Sequence, residues 1–265
     1  MTQSIPFIKM HGIGNDFVVM DLQRMPLSLT PPLITRICNR HTGIGCDQLV
    51  TLAAATQPEA AVLVRFYNPD GSESGACGNA TRCVAHYLMQ QGNTTQVTLQ
   101  TAHGLLACAM SGDQVMVNMG QATVETLHLT HDGITDGVAV SIGNPHLILA
   151  VDDVDAYPVA QLGTVLEHHA LFPQRVNVNF VQVLDRHSVK LRVWERGAGE
   201  TLACGSGACA TAVAAFRRGW TGHHVRVQLP GGELNIDVNE DNTVYMTGSV
   251  AYVFAGTYQA EYDHE

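Results

Sequence analysis

One short motif occurs twice in this chain, and its two copies constrain the fold more than any other feature. Ala76-Cys77-Gly78-Asn79 is matched by Ala203-Cys204-Gly205-Ser206, 204 − 77 = 127 positions later. The correspondence runs outward from the cysteines. Asn68 precedes the first by 77 − 68 = 9 residues, and Glu195 precedes the second by 204 − 195 = 9. Each of these closes a strand-like run, Val64-Arg65-Phe66-Tyr67-Asn68 and Leu191-Arg192-Val193-Trp194-Glu195. Glycine turns with an acidic residue follow (Gly71-Ser72-Glu73, Gly199-Glu200), and Gly92 and Gly219 each lie fifteen residues beyond their cysteine. A chain patterned this way folds as two copies of one unit. Equivalent cysteines then suggest one pseudo-symmetric site between two halves.

The remaining pattern is strand-rich. Residues 7–21 read as strand, glycine turn and strand, with Asn15-Asp16 in the turn. Pro31-Pro32 opens a helix whose Leu33, Ile34, Ile37 and Cys38 share one face, and which stops before Gly43. Strands are expected over 45–52 and 60–68. A helix from Asn79 to Gln91 is expected to close at Gly92. Two short strands at 97–100 and 115–119 have counterparts at 225–229 and 244–247. Residues 138–149 repeat the opening strand pair, with Asn144 standing where Asn15 stands. A helix is expected over 158–169, and an apolar strand begins at Asn177. The run Ala208-Cys209-Ala210-Thr211-Ala212-Val213-Ala214-Ala215-Phe216 is apolar nearly all round, which predicts a helix wrapped by sheet. The order is that of an α/β duplication.

With 265 residues the chain can bury a sizeable core and suits two domains. A formal net charge of −10 with no Lys/Arg cluster argues against nucleic acid. No apolar run approaches the ~20 residues of a membrane span, and the first residues lack a signal-peptide pattern. Seven cysteines, an odd number, then point to free thiols in a reducing cytoplasm rather than a disulfide framework. Gly12 and Gly14 lack the third glycine and the following helix of a dinucleotide fingerprint, and no cysteine spacing matches a zinc site.

Cys38, Cys46, Cys83, Cys108 and Cys209 read as inert buried thiols. Cys77 and Cys204 differ because each stands just before a helix. The N–H groups and dipole at a helix start favour thiolate, and the same N–H groups would hold a substrate carboxylate. Two thiols in pseudo-symmetric halves suit a base on one face of a carbon and an acid on the other, which is inversion at a carbon centre.

Tyr67-Asn68-Pro69-Asp70-Gly71-Ser72-Glu73, Cys77-Gly78-Asn79, Gly143-Asn144-Pro145-His146, and Glu195-Arg196-Gly197-Ala198-Gly199-Glu200-Thr201 leading to Cys204-Gly205-Ser206-Gly207 resemble the diaminopimelate epimerases. The likeness runs from Lys9 to Gly248. It implies two pseudo-symmetric lobes, 1–118 with 249–265 and 119–248, each a barrel-like sheet around a central helix, with the active site in the cleft. It implies a cofactor-independent, metal-free epimerase of lysine and peptidoglycan precursor synthesis. Cys77 and Cys204 would be its acid/base pair, and His146 and Glu195 would help set thiol ionisation. Asn15, Gln48, Asn68, Gly78, Asn79, Asn144, Asn177, Glu195, Arg196, Gly205 and Ser206 would contact a small-molecule substrate. A homodimer is implied too, although Phe254 stands where many members carry a dimer-contact tyrosine. Ala80-Thr81 and Leu147 are two further departures that hardly touch the chemistry. Racemisation of proline, hydroxyproline or histidine, a reversible Cys77–Cys204 disulfide, and non-catalytic amino-acid binding are the competing readings.

Overall fold

The computed structural model describes residues 2–23, 27–75, 77–131 and 134–261. Ala76 of the first motif lies outside the described residues. The chain divides into two compact units, one of residues up to Val115 together with those from Ser249 onward, the other Met116–Gly248.

In the first unit β1 (Thr2–Gly12) and β2 (Asn15–Asp21) form an antiparallel hairpin, with Gly12 opposite Asn15. Helix α1 (Pro31–Cys38) starts on its two prolines and buries Leu33, Ile34, Ile37 and Cys38. It is the crossover that a parallel pairing requires, carrying the chain to β3 (Gln48–Ala53) beside β2. β4 (Val62–Tyr67) pairs antiparallel with β3, and the two-residue β5 (Glu73–Ser74) folds back on its end. Helix α2 (Gly78–Gly92) then leads to β6 (Gln96–Thr101), parallel to β4, and to β7 (Gly104–Ser111), antiparallel to β6. β8 (Gln114–Gln121) runs on into the second unit.

The second unit repeats this order. β9 (Thr123–His131) pairs with β10 (Ile134–Ser141), which forms a hairpin with β11 (Pro145–Ala150). Helix α3 (Val159–Glu167) crosses to β12 (Asn177–Asp185), parallel to β11. β13 (Ser188–Glu195), β14 (Gly199–Thr201), α4 (Gly205–Arg217), β15 (His224–Leu229), β16 (Gly232–Val238) and β17 (Thr243–Gly248) follow with the same pairings as their counterparts. The last strand, β18 (Ala251–Glu261), returns to the first unit along β1.

The fold is thus mixed α/β, rich in strands, with one long helix per unit. Each long helix is covered by strands of its own unit. α2 packs on β1, β2, β6 and β7, and α4 packs on six strands from β10 to β17. The small side chains of α4 permit that approach, and its residues from Gly207 to Ala215 are buried throughout.

Three expectations need correction. The strand expected from Gly45 begins only at Gln48, because residues 45–47 are held as a loop: Lys9 Nζ donates to the Gly45 carbonyl, and Asp47 N donates to Asp16. Gly92 does not close α2 from outside but lies within it, and the left-handed residue that ends the helix is Asn93 (φ 49°). β7 forms where turn residues were expected between the strands at 97–100 and 115–119, and β9 and β16 are strands where none was anticipated.

Candidate active site

Both motif cysteines occupy the residue just before a long helix, in extended backbone, and each sulfur accepts an amide N–H from the first turn. Ala80 N donates to Cys77 Sγ at 3.5 Å, and Gly207 N to Cys204 Sγ at 3.4 Å. The strand–turn–helix register repeats at both places, so this is the sequence duplication expressed as geometry. Gly78-Asn79 and Gly205-Ser206 are the first helical residues in each copy. The first amides of a helix have no acceptor within it, which makes these two starts suited to a carboxylate.

In the first unit the hairpin end brings Asn15 to the thiol, its Oδ1 3.9 Å from Cys77 Sγ and 3.2 Å from Asn79 Nδ2. Asn15 is held from behind by Asp47, whose Oδ2 accepts its Nδ2 at 2.8 Å. Asp16, Lys9 and Arg40 form a charged cluster behind it. Burial alone would push the Asp16 carboxyl up, but hydrogen bonds from Arg40 and Lys9 outweigh it and hold the group well below the usual carboxylate range. Fully buried Arg82 donates to Asn79 Oδ1 at 2.9 Å. Gln48 and Asn68 meet at 3.0 Å across the ends of β3 and β4, and Asn68 continues to Ser72 at 3.1 Å.

In the second unit a polar chain surrounds Cys204. Ser206 Oγ lies 3.6 Å from the sulfur, His146 Nε2 lies 3.1 Å from Ser206 Oγ and 3.0 Å from Asn144 Oδ1, and Asn144 Nδ2 donates to Ser206 Oγ at 3.3 Å. Buried Asn177 spans two strand ends, donating to the Pro145 carbonyl and accepting from Arg196 N, both at 2.9 Å. The exposed Arg196 side chain donates to the Gln174 carbonyl at 3.1 Å. Glu195 accepts from Thr201 Oγ1 at 2.5 Å.

The electrostatics around Cys204 differ from the expectation that a helix start alone favours thiolate. Burial pushes this thiol well above its ordinary range, and the adjacent Glu195 carboxylate adds to the rise. Ser206 and the Gly207 amide pull the other way and are outweighed. His146 is fully buried, and burial pushes it down to about 3, with the Arg196 charge acting in the same direction, so the ring is neutral. Glu195 thus bears on Cys204 through its charge, while His146 is connected to the sulfur only through Ser206.

The site residues named from sequence fall into two groups, one per unit. Asn15, Gln48, Asn68, Cys77, Gly78 and Asn79 belong to the first. Asn144, His146, Asn177, Glu195, Arg196, Cys204, Gly205 and Ser206 belong to the second. Three residues that touch these groups escaped the sequence reading: Asp47, Arg82 and Asn179. A charged side chain at an apolar position of an amphipathic helix could have flagged Arg82. Nothing in the local pattern marks Asn179, which sits inside an apolar strand. Among the described residues no group of three or more His, Cys, Asp or Glu side chains could hold a metal, and no helix is long and apolar enough to cross a membrane.

The family model described as diaminopimelate epimerase matches residues 7–125 and 138–253. Proteins named diaminopimelate epimerase are similar along nearly the whole chain. That of Rhodospirillum centenum is 50% identical, covering 94% of this chain and 91% of the relative. That of Gluconobacter oxydans is 48% identical, covering 96% and 99%. Among solved structures, a hydroxyproline epimerase from Agrobacterium vitis with bound trans-4-hydroxy-L-proline superposes with a TM-score of 0.77 at 14% identity, over 98% of this chain and 94% of that one. A Bacillus anthracis phenazine biosynthesis protein of the PhzF family gives 0.74 at 15% identity, over 96% and 99%. At such identity these two speak to the fold alone.

Proposed function

The chain belongs to the diaminopimelate epimerase family, and from that premise we propose that Cys77 and Cys204 are its paired acid and base. The protein is an isomerase of amino-acid biosynthesis that interconverts LL-2,6-diaminopimelate and meso-diaminopimelate. One thiolate removes the α-proton from one face of the carbon. The opposite thiol delivers its own proton to the other face, and the two sulfurs exchange ionisation states. The developing negative charge spreads onto the α-carboxylate, held at the amides of Gly78, Asn79, Gly205 and Ser206. Asn15, Gln48 and Asn144 line the reacting end. At the distal end, Asn68, Asn177 and Glu195 take the ammonium, and Arg196 takes the carboxylate. His146 and Glu195 tune Cys204. In this reading no cofactor takes part, the enzyme is cytoplasmic, and it works as a homodimer. Tyr252, Val253 and Phe254, exposed on β18, support the last point.

The observation that carries the proposal is the equivalence of the two thiols, each placed ahead of its helix with an amide N–H on its sulfur. Cysteine titrates near enough to neutrality to act as both acid and base, whereas serine does not. Cys77→Ser and Cys204→Ser should each lower epimerisation by at least ~10²–10⁴-fold, followed by separation of the stereoisomers, with the circular dichroism spectrum unchanged. Near wild-type turnover of both isomers by Cys204→Ser would contradict the assignment.

A further inference from the structure

The pairing of β11 with β12 sets His146 opposite Asn177 and Ile148 opposite Asn179, so Asn177 and Asn179 share the face that His146 occupies. Asn179 is fully buried. Its amide nitrogen lies 3.1 Å from His146 Nδ1 and 3.2 Å from the carbonyls of Leu147 and Asn177. Turning the amide over would set its oxygen against two carbonyl oxygens, so the orientation is fixed by its neighbours. A hydrogen on His146 Nδ1 would point at an amide nitrogen that has no lone pair to accept it, so the proton is excluded from Nδ1. The proton of this neutral ring sits on Nε2, directed at Asn144 Oδ1 and Ser206 Oγ. Asn144 also donates to Ser206 Oγ. With its oxygen accepting from both, Ser206 has its own hydrogen left for the Cys204 sulfur 3.6 Å away.

We propose that Asn179 is a positioning residue that locks His146 in the Nε2–H tautomer and so aims the Ser206 hydroxyl proton at the Cys204 sulfur. The opposite tautomer would present a lone pair at Nε2, draw the Ser206 proton to the ring, and reverse the polarity of the chain. This rests on the acid/base role given to Cys204 above. The duplication supplies an internal control. At the same register of β2 and β3 the first unit has Phe17, opposite Gln48, and Val50, opposite Val19. An apolar pair thus satisfies the fold there, and the polar pair in the second unit answers a different need. Asn179 also keeps one atom, Oδ1, without a hydrogen-bond partner among the described residues, a burial cost that packing alone does not demand. Gly207 shows how tightly these groups meet: a Cβ there would lie 2.6 Å from Asn179 Oδ1 and 3.2 Å from Cys204 Sγ. The charged groups bearing on this cluster are Glu195, beside the thiol, and Arg196, whose charge reaches His146.

The test combines imidazole ¹⁵N NMR with the pH dependence of kcat/KM in both reaction directions. In the wild-type enzyme the His146 signals, identified by their loss in His146→Gln, should show an unprotonated Nδ1 and a protonated Nε2. Asn179→Asp, which can accept from Nδ1–H, should reverse them. Asn179→Val, copying Val50, should lower kcat/KM roughly 10-fold and move the limb belonging to Cys204 upward by on the order of one pH unit, since a thiolate that loses a donor is harder to form. The limb belonging to Cys77 should stay in place. A proton on Nδ1 in the wild type, or a slower Asn179→Val enzyme with both limbs unmoved, would overturn the proposal. Should the variants not fold, the wild-type tautomer decides alone. That readout is independent of turnover, so a wild-type enzyme inactive on diaminopimelate would overturn the functional reading while leaving the tautomer to be judged by its own signal.

Discussion

Burying a neutral histidine ties stability to pH in a definite direction. His146 titrates at about 3 in the folded protein, against an ordinary value of 6.5. Between those values the unfolded chain binds the proton and the folded one does not. The contribution of this site is therefore full above pH ~6.5 and is lost as pH falls toward ~3, a difference on the order of 3–5 kcal/mol across the window. The double variant His146→Phe with Asn179→Val installs the apolar pair that the first unit carries as Phe17 and Val50. Replacing both partners of a buried polar contact by apolar groups is nearly neutral at pH 8. The variant should therefore fold, be catalytically impaired, and lose less stability on acidification than the wild type. Urea midpoints between pH 8 and 4 measure this, and parallel curves for the two proteins would contradict it. Residues of this kind are hard to read from sequence. His146 was found through its place in a motif, whereas Asn179 is one polar residue in an apolar strand, visible only when β11 is set beside β12.

At the scale of elements, the two copies are alike in topology and differ in detail. Gly92 and Gly219 occupy equivalent positions after their cysteines, yet Gly92 is a helical residue and Gly219 has φ +70°. Alanine should act oppositely at the two. Gly92→Ala gains helix propensity, and the added Cβ meets Thr94 no closer than 3.6 Å, so it should stabilise by ~0.5–1 kcal/mol. Gly219→Ala forces a side chain into left-handed backbone and should cost ~1–2 kcal/mol. Thermal or denaturant unfolding separates the two, and the same sign at both would refute the account of how these helices end. The helices were legible because proline starts, apolar faces and the two cysteine turns all act locally. Strands were less so. β16 carries a clear alternation in Leu234, Ile236 and Val238, which could have been read. β7 is half-exposed, with Leu106 and Cys108 among small residues, and gains its identity only from pairing with β6. The loop at residues 45–47 is set by Lys9 and Asp16, distant in sequence, and no local pattern encodes it.

At the scale of the whole molecule, the duplication is what the sequence states most plainly, since 127-residue spacing survives in cysteines, turns and strand order. Duplication also defines the central claim, that two equivalent thiols invert one carbon by moving two different protons. The direct measurement is turnover in D₂O, with the isotope located in product by NMR or mass spectrometry. In single turnover from either isomer, product should carry one solvent deuterium at the inverted α-carbon, while the distal stereocentre keeps its hydrogen. Substrate recovered early should remain largely unlabelled, because the base that removed the proton is not the acid that supplies the new one. Retention of the original hydrogen in the inverted product would show that one group carries a single proton across both faces, and the two-thiol account would be wrong.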